Sequence, residues 1–199
     1  MRSGLVFALV LGFLAVPLFA QSSDVAVWMS NSRVATTTSD PSTIQFKSGR
    51  GYGASFNHFF GNHFSTEFGY GQIHYDGRLK YLGDNLLDLG QLKTKVATGV
   101  LLWHFSRAGS IDPYLGAGAA YIKSDNLSSA DLTSTNIGPI SIEKKWGWVA
   151  DAGLNVNLGH SLGVVIDAKY IPYEPKSGAT GTKLKLNPKI YSAGLRIRF

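Results

Sequence analysis

Five histidines, His58, His63, His74, His104 and His160, are the side chains best suited to metal binding or proton transfer. Their separations give no HExxH pair and no calcium-loop spacing, and the absence of cysteine removes thiolate sites, thiol nucleophiles and disulfides. The nearest match to a base beside a nucleophile is His104 with Ser106, next to a short turn. That is a weak arrangement, and the sequence is read as non-enzymatic, with no metal and no cofactor.

A second set of groups is more informative. Glu67, Asp151, Asp167, Lys169, Arg196 and Arg198, with Lys93 and Lys95 in a segment of blurred phase, fall on the small-residue face of alternating segments. Charges of both signs on the inside of a closed sheet would be costly unpaired, so these residues are expected to form a salt-bridged lumen network. Such a network leaves no open aqueous pore.

Alternation with a period of two runs through the chain. In the last segment Tyr191, Ala193, Leu195, Ile197 and Phe199 fall on odd positions, with Ser192, Gly194, Arg196 and Arg198 between them. Leu162 to Tyr170, Trp148 to Val156, Pro113 to Tyr121, Tyr52 to Asn57 and Glu67 to Gly71 repeat the pattern. Around Gln91 to Phe105 the consecutive apolar Val100, Leu101 and Leu102 predict a bulge or a strand end. Long polar connections (after Arg33, at Gly77–Gly90, Ser124–Glu143 and Glu174–Lys183) alternate with short ones at Phe60–His63, Ser106–Ile111 and Asn157–Ser161. Four long and three short connections make eight strands with both termini on the short-turn side.

The chain has 199 residues, 44% hydrophobic and 16% charged, enough for one domain. Residues 1–20, with Arg2, an apolar stretch from Leu5 to Val16, Pro17 and Ala20, are laid out as a cleaved secretory signal. Residues 21–199 then form a single exported domain. Beyond residue 20 no apolar run reaches the roughly 20 residues of a membrane helix. A sheet in lipid must pair all its amides, and only closure achieves that. The expected fold is therefore all-β: an eight-stranded antiparallel transmembrane β-barrel of the outer-membrane kind. The basic residues are scattered, with no run suited to nucleic acid; those near the outer loops face the phosphates of outer-membrane lipid and lipopolysaccharide.

Four tryptophans, Trp28, Trp103, Trp146 and Trp148, with most of the tyrosines, lie near strand ends and are read as aromatic belts at the two membrane interfaces. Trp146, where the longest outer loop meets the sixth strand, is the candidate solute-pocket residue.

The sequence resembles the outer membrane protein W family in Asp112-Pro-Tyr-Leu-Gly-Ala-Gly-Ala-Ala-Tyr121, Trp146-Gly147, Asp167 to Ile171, Asn187-Pro188 and the terminal Arg198-Phe199. The resemblance implies residence in a Gram-negative outer membrane and passive passage of a small hydrophobic solute through a narrow apolar pocket opening sideways to lipid. It does not carry over the family's bulky gate, because the register places Gly69 and Ala168 or Lys169 there. Tyr191, Leu195, Ile197 and Phe199 resemble the C-terminal signal read by the barrel-assembly machinery. The alternative is a structural or surface-interaction barrel whose loops meet lipopolysaccharide or other surfaces without transport.

Overall fold

The computed structural model describes residues 23–34, 37–39, 42–81, 84–125, 143–175 and 186–199; the expected signal segment and the centres of two long connections lie outside them. The strands are β1 (Ser23–Arg33), β2 (Thr37–Ser39), β3 (Ser42–Phe46), β4 (Gly49–Phe59), β5 (Phe64–Tyr81), β6 (Asp84–His104), β7 (Ile111–Ser124), β8 (Lys145–Asn157), β9 (Leu162–Tyr170) and β10 (Lys189–Arg198). All pairings are antiparallel, and β1 and β4 to β10 form a ring of eight. Closure is made by β1 and β10, in register from Asp24↔Arg198 to Arg33↔Lys189. Below that ladder Ser23 and Phe199 exchange two backbone hydrogen bonds, of 3.2 and 3.0 Å. Closure leaves no strand of the ring with a free edge along its paired ladder.

The strands alternate as their sequences require. On β10 Ile190, Ser192 and Arg196 are buried while Tyr191, Leu195 and Ile197 are exposed at the barrel's outside, the surface that meets lipid. The short connections share one end with both termini; the opposite end carries the long ones and is called the outer end here. At the short end Gly61, with φ of 104°, makes the tight β4–β5 turn that an L side chain would strain.

Two features depart from the sequence reading. The β5 and β6 strands do not stop near Tyr75 and Gln91 but pair on to Tyr81↔Asp84, and the β2–β3 hairpin pairs with the extension of β5. The irregularities in β5–β6 pairing fall at Gly77/Arg78 and Leu79/Lys80, not near Val100. Val100 and Leu102 are both buried in the lumen and Leu101 is exposed on the lipid face, so three consecutive apolar residues are ordinary alternation there. The phase this fixes turns Lys93 and Lys95 outward, between the buried Leu92, Thr94 and Val96. They belong to the outer rim and not to the lumen network.

Candidate functional site: the barrel lumen

The lumen is layered. Nearest the short turns, His104 Nδ1 lies 2.8 Å from Asp112 Oδ2 and its Nε2 2.8 Å from Ser65 Oγ, and Asn155 donates to Asp112 Oδ2 at 3.3 Å. These four residues come from β5, β6, β7 and β8. The serine beside His104 is thus Ser65, across the strand pair, and not Ser106, whose backbone N–H donates to Asp112 Oδ1. Hydroxyl, imidazole and carboxylate in series are the parts of a nucleophilic triad. Ser65, His104 and Asp112 all have no solvent exposure, so in this arrangement the three side chains tie β5, β6 and β7 together inside the wall. At the same level Arg196 Nη1 donates to Asp24 Oδ2 at 2.8 Å and its Nη2 bonds Asn157. Arg107 and Arg198 stand 4.1 and 5.8 Å from the Phe59 ring centre.

Above this floor is an ionic belt. Lys169 Nζ lies 3.1 Å from Glu67 Oε1, 2.9 Å from Asp151 Oδ2 and 2.8 Å from Asp167 Oδ2, and Tyr114 donates to Asp167 at 3.1 Å. Glu67 is on β5, Asp151 on β8 and Asp167 on β9, so one ammonium ties strands facing each other across the bore. Arg196 and Arg198 do not reach it. The residues named from sequence therefore divide into two clusters: the belt, and the arginines near the short turns.

Trp28 is the bulkiest group at this depth, and it is inside the barrel, not in an aromatic belt. Its register row runs Val165, Gly194, Trp28, Gly53, Gly71 and Val96. A Cβ built on Gly53 or Gly71 would lie 2.3 Å from the indole, and one on Gly194 2.7 Å from Trp28 Cβ. At Gly53 and Gly71 the indole covers the inner surface, while at Gly194 the Val27 carbonyl oxygen, 2.2 Å from such a Cβ, excludes a side chain as well. Alternation of Asp24, Ala26, Trp28, Ser30 and Ser32 against Val25, Val27 and Met29 was the signal for its inward face.

The outer third of the lumen is mainly apolar, and its buried hydroxyls are bonded, Tyr75 to Ser32 at 2.7 Å and Thr94 with Ser124 at 3.0 Å. Ile73, Tyr75, Leu92, Val96, Ile122, Ile171, Leu186 and Ile190 are buried there, and a narrow cavity runs between Val34, Leu92, Ile122 and Tyr173. A second cavity, beside Trp28, continues down to Glu67 and Lys169. At the rim Tyr173 donates to the Glu143 carbonyl at 2.7 Å, and burial pushes its hydroxyl up to about 12.

The wall of this cup is incompletely zipped. The β8–β9 ladder ends at Ala150↔Tyr170, while β8 continues outward through Trp148 and Trp146. Beside that stretch runs Ile171-Pro172-Tyr173, whose proline has no N–H to donate. A Cβ on Gly147 would lie 3.0 Å from the Pro172 carbonyl oxygen, so the two backbones are close. Trp146 is 69% exposed on the outside of this seam, 5.0 Å from the Tyr121 ring, and Trp148 meets Tyr170 edge-on. Trp146 lines neither interior cavity. Tyr191, Leu195, Ile197 and Phe199 are also exposed on the lipid face.

No metal-binding group of His, Asp and Glu occurs among the described residues. Comparison with curated protein sequences finds no match. Solved structures match over most of their length: OprG from Pseudomonas aeruginosa at 15% identity and a TM-score of 0.74, covering 90% of this chain and 97% of that one. The outer membrane protein AlkL matches at 18% and 0.63, covering 91% and 92%, and Ail of Yersinia pestis at 18% and 0.56, covering 91% and 100%. These likenesses share the outer-membrane barrel fold. The OmpW family model matches residues 16–199, and the chain belongs to that family.

Proposed function

We infer that the protein is a passive conduit for small hydrophobic molecules in the outer membrane of a Gram-negative bacterium. The observation that carries this reading is the apolar cup set over an ionic belt: Ile73, Leu92, Val96 and Ile122 offer an oily entrance, and Lys169 with its three carboxylates blocks the way straight down. A solute that enters must leave through the wall. The unpaired seam between β8 and Ile171–Tyr173 is the proposed exit, with Trp146 as the solute contact on its lipid side. The terminal Tyr191, Leu195, Ile197 and Phe199 are proposed as the surface read by the barrel-assembly machinery before β10 closes on β1.

The test is uptake of a small alkane or aromatic solute by liposomes carrying the refolded protein. Ile122→Trp, which fills the cup, and Trp146→Ala are expected to slow uptake, the first more strongly. Wild-type uptake equal to empty liposomes for several solutes sinks the conduit. The second reading, a surface-interaction barrel, draws on the β2–β3–β5–β6 sheet that prolongs the barrel at its outer end and on the fold shared with Ail, whose name describes attachment and invasion.

A further inference from the structure

Among the described residues, the buried side-chain nitrogens without a hydrogen-bond partner are Arg196 Nε and Arg198 Nε and Nη2. All three stand at the short-turn end of the bore. On Arg198 the two unpaired atoms are neighbours. Its Nε–H and Nη2–H point the same way and form the side-on fork of the guanidinium, which matches the two oxygens of a carboxylate. Leaving such donors buried and unpaired is costly.

The nearby carboxylates are engaged elsewhere. Asp24 is opposite Arg198 in the β1–β10 register, yet its Oδ2 takes Arg196 Nη1 at 2.8 Å. Asp112 accepts from Asn155 and from the Ser106 N–H, and lies against His104 Nδ1. At the chain's own terminus the Phe199 oxygen accepts from the Ser23 N–H. No salt bridge joins Arg198 to an acid among the described residues. Arg107, from the β6–β7 turn, brings another guanidinium to the same place: it stands 4.1 Å from the Phe59 ring centre, and Arg198 stands 5.8 Å from that centre. Three guanidiniums against Asp24 and Asp112 leave one positive charge in this layer, the complement of a monovalent anion.

We propose that Arg198, flanked by Arg196 and Arg107, is a site for a monovalent organic carboxylate, held bidentately by the Nε–Nη2 fork and reached from the periplasm, the side on which the short turns of such barrels lie. Arg107 and Arg198 are both half-buried. The ligand enters beside Arg107, which shifts off the Phe59 ring to admit it. The Lys169 belt separates this site from the apolar cup, so it is independent of the conduit.

The experiment titrates the barrel, refolded in phosphatidylcholine nanodiscs, with sodium benzoate, benzamide and inorganic phosphate at constant ionic strength. Arginine Nε–H signals are followed by NMR, Arg198 being the one lost in Arg198→Lys, and calorimetry compares the variants. Benzoate is expected to shift the Arg198 signal saturably, and benzamide to leave it in place. Arg198→Gln and Arg198→Lys are each expected to weaken benzoate binding roughly tenfold or more, the second because an ammonium keeps the charge and loses the fork. Heat-modifiable migration on gels checks folding. Arg107→Gln, in a turn, replaces the Arg198 variants if they fail to fold, and is expected to weaken binding about threefold. No saturable shift with benzoate, an equal shift with benzamide, or wild-type affinity in Arg198→Lys overturns the proposal. Tighter binding of inorganic phosphate than of benzoate overturns the monocarboxylate assignment in favour of a divalent anion.

Discussion

The indole of Trp28 fills the volume that a side chain at Gly71 would occupy, with Trp28 Cη2 2.3 Å from where that Cβ would be. The same atom stands 2.3 Å from a Cβ at Gly53, but there the Tyr70 carbonyl oxygen is also 2.5 Å away. Gly71→Ala should therefore be destabilising in wild type and close to neutral in Trp28→Ala, because only the indole obstructs it. Gly53→Ala should stay destabilising in both, since backbone cannot step aside. Trp28→Ala itself, at a half-buried side chain, should cost less than the about 3–5 kcal/mol of a fully buried large-to-small change. Urea unfolding in lipid vesicles gives the double-mutant cycle; coupling of similar size at both glycines contradicts the packing described.

Among the described residues, Lys169 is the one ammonium paired with Glu67, Asp151 and Asp167. Lys169→Met leaves three buried carboxylates facing one another and should cost about 3–5 kcal/mol, the range for breaking a buried ion pair from one side. Adding Asp151→Asn and Glu67→Gln to that variant should restore much of the loss. If the triple variant is no more stable than Lys169→Met, the ammonium is not what holds the carboxylates together.

Ser65 supplies the hydroxyl beside His104 Nε2 at 2.8 Å. Ser65→Ala should lower stability by about 1–3 kcal/mol, the cost of an unsatisfied buried partner, and leave solute uptake unchanged. A serine-directed fluorophosphonate should leave the folded barrel unlabelled. Labelling of Ser65 in the folded protein would show the triad open to substrate.

At the outer rim the sign of the pH effect follows from Tyr173. Burial holds its phenol neutral up to about 12, against an ordinary value near 10. The unfolded chain thus loses this proton first, so the contribution to stability is present below pH 10 and disappears as pH rises from 10 to 12. Phenolate absorbance of wild type minus Tyr173→Phe should stay flat through pH 10 and rise near 12. A rise at 10 means that the phenol is not buried at the rim.

Much of this was legible because lipid and lumen impose opposite demands on alternate residues. Asp167, Lys169 and Asp151 on small-residue faces marked a lumen network, and the structure groups them with Glu67 around one ammonium while Arg196 takes Asp24 instead. That division was hidden, because the partner Asp24 sits in the first strand and only ring closure brings it to the last. Ser65 and His104 are likewise joined by register alone. Trp28 was misread for another reason: tryptophan in a barrel usually marks an interface, but this one stands in the middle of β1 and obeyed its strand's parity. The walls of the apolar cup were hidden because Ile73, Leu92, Ile122 and Ile190 come from four different strands that only the pairing register brings to one level.

A cell that places many copies of a wide pore in its outer membrane accepts a leak through each. In this barrel the Lys169 belt crosses the bore, and Trp28 lines the same narrow cavity as Lys169. Abundance is then decoupled from permeability to salts and sugars. Copy number can then rise without a matching loss of the membrane's resistance to hydrophilic molecules.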